Sequence, residues 1–569
     1  MYKLRHFLKN HRKELVLGPF FKLLEAIFEL IVPIVMSKII DNGIKNNDAE
    51  YVLKMSGLMV LLGICGLGFA LTCQYLAAKC AYGFGAELRN ALYRHINKFS
   101  HAEIDKFGTS SLTTRLTNDT NQAQQGVNMF IRLAVRVPFL IIGAAVMAMT
   151  LDFKLAVIFL IAAPIISAII FFVMKKTVPM YKKIQKNLDH ISLLTRENLE
   201  GVRVIRAFSR QEEEKQEFDS ASRTLSENAV SAGKVSAILN PVTFTVMNLA
   251  IVAILWFGGI RVNIGDLTQG EITAFVNYMT QILLALVVLA NLVVIFTKAA
   301  SSCSRINEIF DTEPSIESGS QTSFDFEGPV IEFNNISFTY PGAGDTSLKN
   351  ISFSLNKGET LGIIGGTGSG KSTLANLIPR FYDVTSGEIS IFGSNIKNYD
   401  TIQLRKLIGT VPQKAVLFSG TIADNLRWRK PDASEEEMTA ALKTAQAWEF
   451  VSKMPEGLDT VISQGGKNLS GGQRQRLTIA RAVIGTPPII ILDDSMSALD
   501  YSTDLSLRKA IAQNLSDCAV IMISQRATTL KNADKILVLD DGDPSGFGTH
   551  EELLENSDVY REIYNSQMS

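Results

Sequence analysis

The sequence predicts an α-helical membrane domain, six transmembrane helices that extend into the cytosol, followed by an α/β domain built on a parallel sheet. Three observations predict it. Long uncharged apolar runs are confined to the first 300 residues, a glycine-rich turn joins a strand-like to a helix-like run in the remainder, and charge is split between the two parts. A chain of 569 residues exceeds one ordinary domain, and 47% hydrophobic residues is too apolar for disorder. Lys plus Arg and Asp plus Glu each number 56, so the net charge is zero. The sum hides a division: residues 1–300 hold 32 Lys/Arg and 22 Asp/Glu, a net +10, and residues 301–569 hold 24 and 34, a net −10. No nucleic-acid partner is expected. Five cysteines exclude a disulfide scaffold and fit a reducing compartment.

A membrane span needs about 20 mostly apolar residues. Leu155–Met174 is such a run, as are Met55–Ala78, Val235–Ile260 and Ile272–Thr297. Val137–Leu151 is shorter and extends back through Arg136 and Arg132. Leu15–Ile40 is long enough but carries Lys22, Glu25, Glu29 and Lys38. Buried soluble helices do not supply several uninterrupted runs of this length. Lys and Arg set the orientation. Lys3, Arg5, Lys9, Arg12 and Lys13 precede the first span, and Lys182, Lys183, Lys186, Arg196, Arg203, Arg206 and Arg210 follow the fourth. The N-terminus is therefore expected in the cytosol and the protein in the cytoplasmic membrane. Leu4, Phe7 and Leu8 at helical spacing predict a helix lying on the inner leaflet. A signal peptide fits less well, because no small-residue cleavage site follows.

The inner loops, about Lys79–Arg132 and Lys175–Lys234, each exceed 50 residues without being rich in Pro or Gly. Structureless loops of that length are uncommon. Spans two to five should therefore continue as helices into the cytosol.

After Ala300 the composition changes, and Ser301–Gly328 reads as a linker. Val330–Phe333, Ile336–Tyr340 and Ile351–Leu355 read as strands. Thr360–Gly365 is a buried strand that opens into Gly365-Gly366-Thr367-Gly368-Ser369-Gly370-Lys371-Ser372, followed by a helix from Thr373. This is G-x-x-x-x-G-K-[ST] in its required strand–loop–helix context. Glycines let backbone N–H groups converge on phosphates, and the helix N-terminus adds partial positive charge. Lys371 would reach the outer phosphates of ATP and Ser372 would ligate Mg²⁺. Pro488–Asp494 reads as a buried parallel strand ending in two carboxylates, with Asp493 placed to hold Mg²⁺.

Between these motifs lies Leu469-Ser470-Gly471-Gly472-Gln473-Arg474-Gln475-Arg476, entering an apolar helix. These residues resemble the signature of ATP-binding cassette (ABC) proteins. Ser497-Ala498-Leu499-Asp500 resembles the family's D-loop, Gln413 its Q-loop and further Mg²⁺ contact, and Tyr340 the aromatic that stacks on adenine. Six spans followed by one cassette resemble a half-transporter of the bacterial multidrug-type exporters (type IV fold). The fold is then an α/β P-loop ATPase domain of ABC type behind the membrane domain. The boundaries are 1–310 for the membrane domain, 311–328 for the linker and 329–569 for the ATPase. The resemblance implies a dimer in which each ATP lies between one chain's phosphate loop, with Thr373 at its end, and the other chain's Ser470, Gly471, Gly472 and Gln473. It also implies coupling helices at the cytosolic turns, near Ser110–Asn118 and Val202–Phe208.

Three positions depart from the family's pattern. Asp494 stands where a catalytic Glu is usual, Gln525 where a His contacts the γ-phosphate, and Gln464 where a Glu precedes the signature. Glutamine cannot carry a proton, and a misplaced base costs about 10²-fold. The expectation is a heterodimer. This chain's phosphate loop would form a weakly hydrolytic site, and its signature would complete the partner subunit's. A homodimer with slow hydrolysis is the alternative.

Glu25 and Glu29 lie at i and i+4 in the first span. Intramembrane carboxylates usually face a cavity or a partner charge. One reading is a cavity that favours cationic, amphipathic substrates; the other pairs Lys22 with Glu25. Asn277, Gln281 and Asn291 are candidates for cavity contacts or helix–helix hydrogen bonds. The cassette motifs equally suit a lipid flippase or peptide exporter. No peptidase segment precedes the first span, which disfavours maturation-coupled peptide export. Import is disfavoured, because importers of the usual layout separate cassette and spans.

Overall fold

A computed structural model describes residues 2–324 and 328–568. Its contacts divide the chain into two units, Met1–Asn97 with Ser110–Thr312, and Lys98–Thr109 with Glu313–Ser569.

The first unit is helical throughout. It comprises α1 (Arg12–Lys38) and α2 (Ala49–Ile96); α3 (His101–Phe107) belongs to the second unit. After it come α4 (Thr109–Thr114), α5 (Thr120–Met129), α6 (Arg136–Leu151), α7 (Phe153–Glu200), α8 (Val202–Ala207), α9 (Gln211–Ala237), α10 (Leu239–Ile264) and α11 (Gln269–Phe310). Five stretches are long and apolar enough to cross a membrane: Ala49–Ile96, Thr109–Leu151, Phe153–Glu200, Gln211–Ile264 and Gln269–Phe310. α1 is the sixth span. Lys22, Glu25 and Glu29 in it are paired within the bundle, and it packs on α2, α6 and α11. At 48 residues each, α2 and α7 run about 70 Å, more than twice a hydrocarbon core of about 30 Å. The inner loops are helical extensions of the spans, as their composition requires.

The break at Pro33 is compensated by a neighbouring helix. Pro33 in α1 has no N–H for the Glu29 carbonyl one turn before it. Gln281 Nε2 on α11 donates to that carbonyl instead, at 3.4 Å. One residue on, the buried Tyr278 hydroxyl donates to the Leu30 carbonyl at 2.7 Å. In a bilayer each such group must find a protein partner. Just past the C-terminus of α1, Asp41 accepts from the Gly270 N–H at 2.9 Å and the Thr268 hydroxyl at 2.6 Å, capping α11.

Three readings change here. The N-terminal helix, Tyr2–His11, buries Leu4 and Phe7 against the protein rather than turning them to the leaflet, with the Phe7 and Phe310 rings 6.0 Å apart. Ser301–Phe310 is the end of α11, not linker, because Cys303, Ile306 and Ile309 recur at helical spacing and are fully buried. The third concerns the first coupling turn. Ser110–Asn118 lies in α4 and the π-helical Arg115–Asp119 of the first unit. The short helix packed on the ATPase core is α3 (His101–Phe107). Ser100 and Glu103 form its capping box, and Gly108 ends it at φ 73°. His101 stacks on Phe381 with centroids 4.3 Å apart, and the Tyr382 hydroxyl donates to Asp105 at 2.6 Å. The second turn is a helix where expected, α8, and Val204 and Phe208 beside it are exposed.

The second unit has two main sheets. One is antiparallel, in the order Leu348–Leu355, Ile331–Phe338, Ser386–Ile391, Ser394–Asn395. The other runs Asp543–Gly548, Lys535–Asp540, Thr360–Gly365, Ala519–Ile523, Ile489–Asp493, Ile408–Val411, parallel except for its first member. Ile521, Ile489–Ile491 and Leu537 are fully buried, the pattern of strands covered on both faces. The readings of Thr360–Gly365 and of the strand ending at Asp493 hold.

A Cβ on Gly270 would lie 2.3 Å from the Ser37 carbonyl oxygen and 2.4 Å from Asp41 Oδ2. Gly270→Ala is expected to destabilise the helical unit by about 1–3 kcal/mol, read as a lower melting temperature. Gly259→Ala, where a Cβ meets nothing within 4 Å, should leave it unchanged or slightly raised.

Candidate functional site

Three neighbouring parallel strands end at one edge. Ile363 pairs with Ile523, and Ile523 with Asp493. The chain leaving each strand therefore reaches the same place. From the first comes the glycine loop and then α12 (Lys371–Leu377). Gly365 is required by close approach, since a Cβ there would lie 2.2 Å from the Leu539 carbonyl oxygen. Lys371 Nζ donates to the Gly365 carbonyl at 2.9 Å, the Gly366 carbonyl at 2.5 Å and Ser369 Oγ at 3.3 Å. Phosphate oxygens could replace these acceptors. Burial pushes the Lys371 ammonium below its ordinary range, and Asp494 and Asp493 pull it back.

The Ser372 hydroxyl donates to Asp493 Oδ1 at 3.1 Å, so the two expected Mg²⁺ ligands are adjacent. Burial raises the Asp493 carboxyl above its usual range; the Ser372 bond opposes this, as does Lys371, while Asp494 adds to it. Gln413 Nε2 lies 3.4 Å from Asp494 Oδ2. These oxygens are the hard donors that suit Mg²⁺. Asp494 has φ 45°, a left-handed backbone uncommon outside glycine, and its N–H donates to the Ile523 carbonyl at 3.0 Å.

A cleft of about 450 Å³ gathers Tyr340, Thr367, Gly368, Ser369, Gly370, Lys371, Ser372, Thr373, Gln413, Asp493, Asp494 and Gln525. Gly365 and Gly366 support it through the Lys371 contacts. The Tyr340 hydroxyl is 3.1 Å from Thr373 Oγ1, and its ring meets that of Tyr382 edge-on at 5.2 Å. The ring facing the cleft and the hydroxyl holding α3 are thus one contact apart.

Asp345, Thr346, Ser347, Ile523 and Asp541 also line the cleft and escaped the sequence reading. Asp345 to Ser347 follow Tyr340 closely and could have been found by proximity. Asp541 arrives through the pairing of Leu539 with Gly365, which no local pattern reveals. Gln567 was missed too. From the C-terminal helix it donates to the Gln525 carbonyl at 2.7 Å and accepts from the Ala527 N–H at 2.8 Å, holding the loop that presents Gln525.

The signature residues lie apart from this cleft. Ser470 caps the helix Gly471–Val483: its hydroxyl accepts from the Gln473 N–H, and Gln473 Oε1 accepts from the Ser470 N–H at 2.9 Å. Ser470 and Gly471 are exposed, so a helix N-terminus is open to an anion. A Cβ on Gly472 would lie 3.5 Å from the Ala498 carbonyl oxygen, which brings signature and D-loop together.

Residues 15–286 match the family described as ABC transporter transmembrane region, and residues 348–497 match ABC transporter. Bacillus subtilis YfiB, an uncharacterized ABC transporter ATP-binding protein, is 39% identical over 100% of this chain and 98% of its own length. The chain belongs to the ABC transporter family. An ABC transporter ATP-binding protein of Mycobacterium tuberculosis, Rv1273c, is 37% identical over 99% of this chain and 97% of its own. The ATP-dependent lipid A-core flippase of Photobacterium profundum is 32% identical over 92% and 90%. A bacterial Atm1-family ABC exporter with ATP bound has the same fold, with TM-score 0.81, 24% identity and 98% of both chains covered. The protein is accordingly an ATP-binding ABC transport ATPase with an exporter fold, a membrane protein whose cassette is cytosolic.

In the transmembrane unit of this ABC transporter, both intramembrane carboxylates have partners. Lys22 Nζ binds the two Glu25 oxygens at 2.8 and 2.6 Å. Arg136 Nη2 binds Glu29 Oε2 at 2.7 Å. The expectation that these carboxylates present free negative charge to a cation is therefore corrected. Gln281 serves the Pro33 break, and Asn277 donates to the Thr273 carbonyl of its own helix at 2.9 Å. For Gln281 the structure gives the helix–helix reading.

Stacking of a base on an aromatic ring is worth about 1–3 kcal/mol. Tyr340→Ala should weaken binding of a fluorescent ATP analogue about 5- to 100-fold, and Tyr340→Phe, which keeps the ring, less than about 3-fold.

Proposed function

We propose that this chain is one half of a heterodimeric exporter of amphipathic molecules. Its own phosphate loop binds ATP and Mg²⁺ at a weakly hydrolytic site, and Ser470, Gly471, Gly472 and Gln473 complete the active site of a second half-transporter. The observation that carries this is the pair Asp494 and Gln525 in one cleft with Lys371 and Ser372. The Asp494 backbone is anchored by its N–H bond to Ile523, so the carboxylate cannot advance to replace the methylene that Glu would add. The shortfall is about 1.5 Å, and errors of that size cost about 10²-fold in a reaction that depends on positioning. Gln525 can hold a phosphate oxygen but cannot take or give a proton. The exposed signature helix, away from its own chain's cleft, supports a site closed by another chain.

In this reading the division of labour runs at 1–310, 311–328 and 329–569, with α3 in the chain before the linker docked on the ATPase. Mg²⁺ would be held by Ser372 and Asp493, with Gln413 alongside, and would neutralise phosphate charge. ATP closure moves α3, which is covalently continuous with the membrane helices. The homodimer remains the second reading, because Asp494 is still a carboxylate within reach of Gln413. Similarity to lipid A-core flippases suits a lipid-like substrate, and the cationic preference is dropped because both carboxylates are paired.

ATPase measured on the chain purified alone should be slow, and Asp494→Glu with Gln525→His should raise it by at least about 10-fold. In the co-purified assembly, Asp494→Asn should change turnover less than about twofold. Rapid turnover of the isolated chain that Asp494→Asn abolishes would sink the asymmetric reading.

A further inference from the structure

Where α1 faces the start of α6, the membrane unit holds five charged side chains, and they do not cancel. Lys22 is matched by Glu25 and Arg136 by Glu29. Arg132 is left over. Among the described residues it has no ion pair or hydrogen bond, and its Nε is buried without a partner. Lys22, Glu25 and Arg132 all lie within electrostatic reach of the buried Cys73 sulfur, so the surplus charge belongs to the same cluster.

Depth makes the surplus costly. Arg136 begins α6, which ends at Leu151, so it lies about 22 Å from the helix's outer end, inside a hydrocarbon core of about 30 Å. Arg132 is one turn nearer the cytosol, in the π-helical segment Phe130–Ala134. Such segments recur at functional sites. Arg136 and Glu29 keep 23% and 37% of their side-chain surface open. Charge at that depth is not left against lipid tails; it faces water, a partner or a ligand. Lys22–Glu25 closes within α1 and Arg136–Glu29 ties α1 to α6, which leaves Arg132 without a structural task.

We propose that Arg132, flanked by Arg136 and Lys22, binds the anionic group, a phosphate or carboxylate, of an amphiphilic substrate whose apolar part lies among the transmembrane helices. A planar guanidinium suits both groups because it can give two parallel N–H bonds. The inference rests on the reading of the protein as an exporter of amphiphiles and adds the sign of the headgroup.

The test is equilibrium binding by microscale thermophoresis to the full-length protein, with its partner subunit where one co-purifies, and without nucleotide. Decyl phosphate and decanoate are compared with decyltrimethylammonium in detergent, and phosphatidic acid with phosphatidylcholine in nanodiscs. Anionic probes should bind at least about 10-fold tighter than the cationic one. Arg132→Gln should weaken them about 10- to 100-fold, the loss of a hydrogen bond to a charged group, and Arg132→Lys should keep most of the affinity. Preference in the nanodisc arm alone identifies a lipid headgroup, and in the detergent arm alone a free amphiphile; either supports the proposal. Equal affinity for both signs, or anion binding unchanged in Arg132→Gln while an ATP analogue still binds, overturns it. So does loss of assembly in Arg132→Gln without loss of ligand affinity, which would assign Arg132 to a partner's carboxylate. Because no nucleotide is present, failure here leaves the asymmetric ATP sites untouched, and failure there leaves this result standing.

Discussion

Parallel pairing that brings Ile363, Ile523 and Asp493 to one level is the constraint on which the ATPase half depends. Each strand supplies a different part of the cleft: the phosphate loop, the loop of Gln525 and the two carboxylates. None of these is placed by its own sequence neighbours. The register is secured by apolar residues covered on both faces, so a slip would cost core burial as well as the site. The left-handed backbone at Asp494 is tolerated because its N–H is tied to the adjacent strand.

In the membrane half the governing rule is that no polar group may be left unmet in hydrocarbon. Pro33 opens a gap that Gln281 fills, Asp41 caps α11, and four of five charges near α1 are paired. Apolar length alone does not identify α1 as a span. Its charges become tolerable through the Lys22–Glu25 pair within the helix and, for Glu29, through Arg136 outside it. Among the described residues Arg132 is the one of these five charges without an opposite charge beside it.

α3 packs with the ATPase inside the second unit. His101 and Asp105 rest on Phe381 and Tyr382, and the Tyr382 ring touches Tyr340 at the nucleotide cleft. A short series of contacts inside the second unit thus joins α3 to the nucleotide cleft. The reading of Ser110–Asn118 missed this because a seven-residue helix carries little periodicity. Its identity comes from what it packs against.

The sequence by itself determined the domain order, the long apolar spans, the helical inner extensions, the phosphate loop, the carboxylates at the end of the strand reaching Asp493, the signature and the departures at Asp494 and Gln525. These are local: run length, charge spacing and short motifs with a fixed strand–loop–helix context carry them. Tertiary structure alone decided that Glu29 is neutralised by Arg136, that Gln281 serves a proline break, that Leu4 and Phe7 face protein, that Asp541 lines the cleft and that Gln567 holds the loop of Gln525. Each joins residues distant in sequence, often over a hundred positions apart. A charge or polar atom takes its meaning from the partner that folding brings to it, and periodicity does not encode that partner.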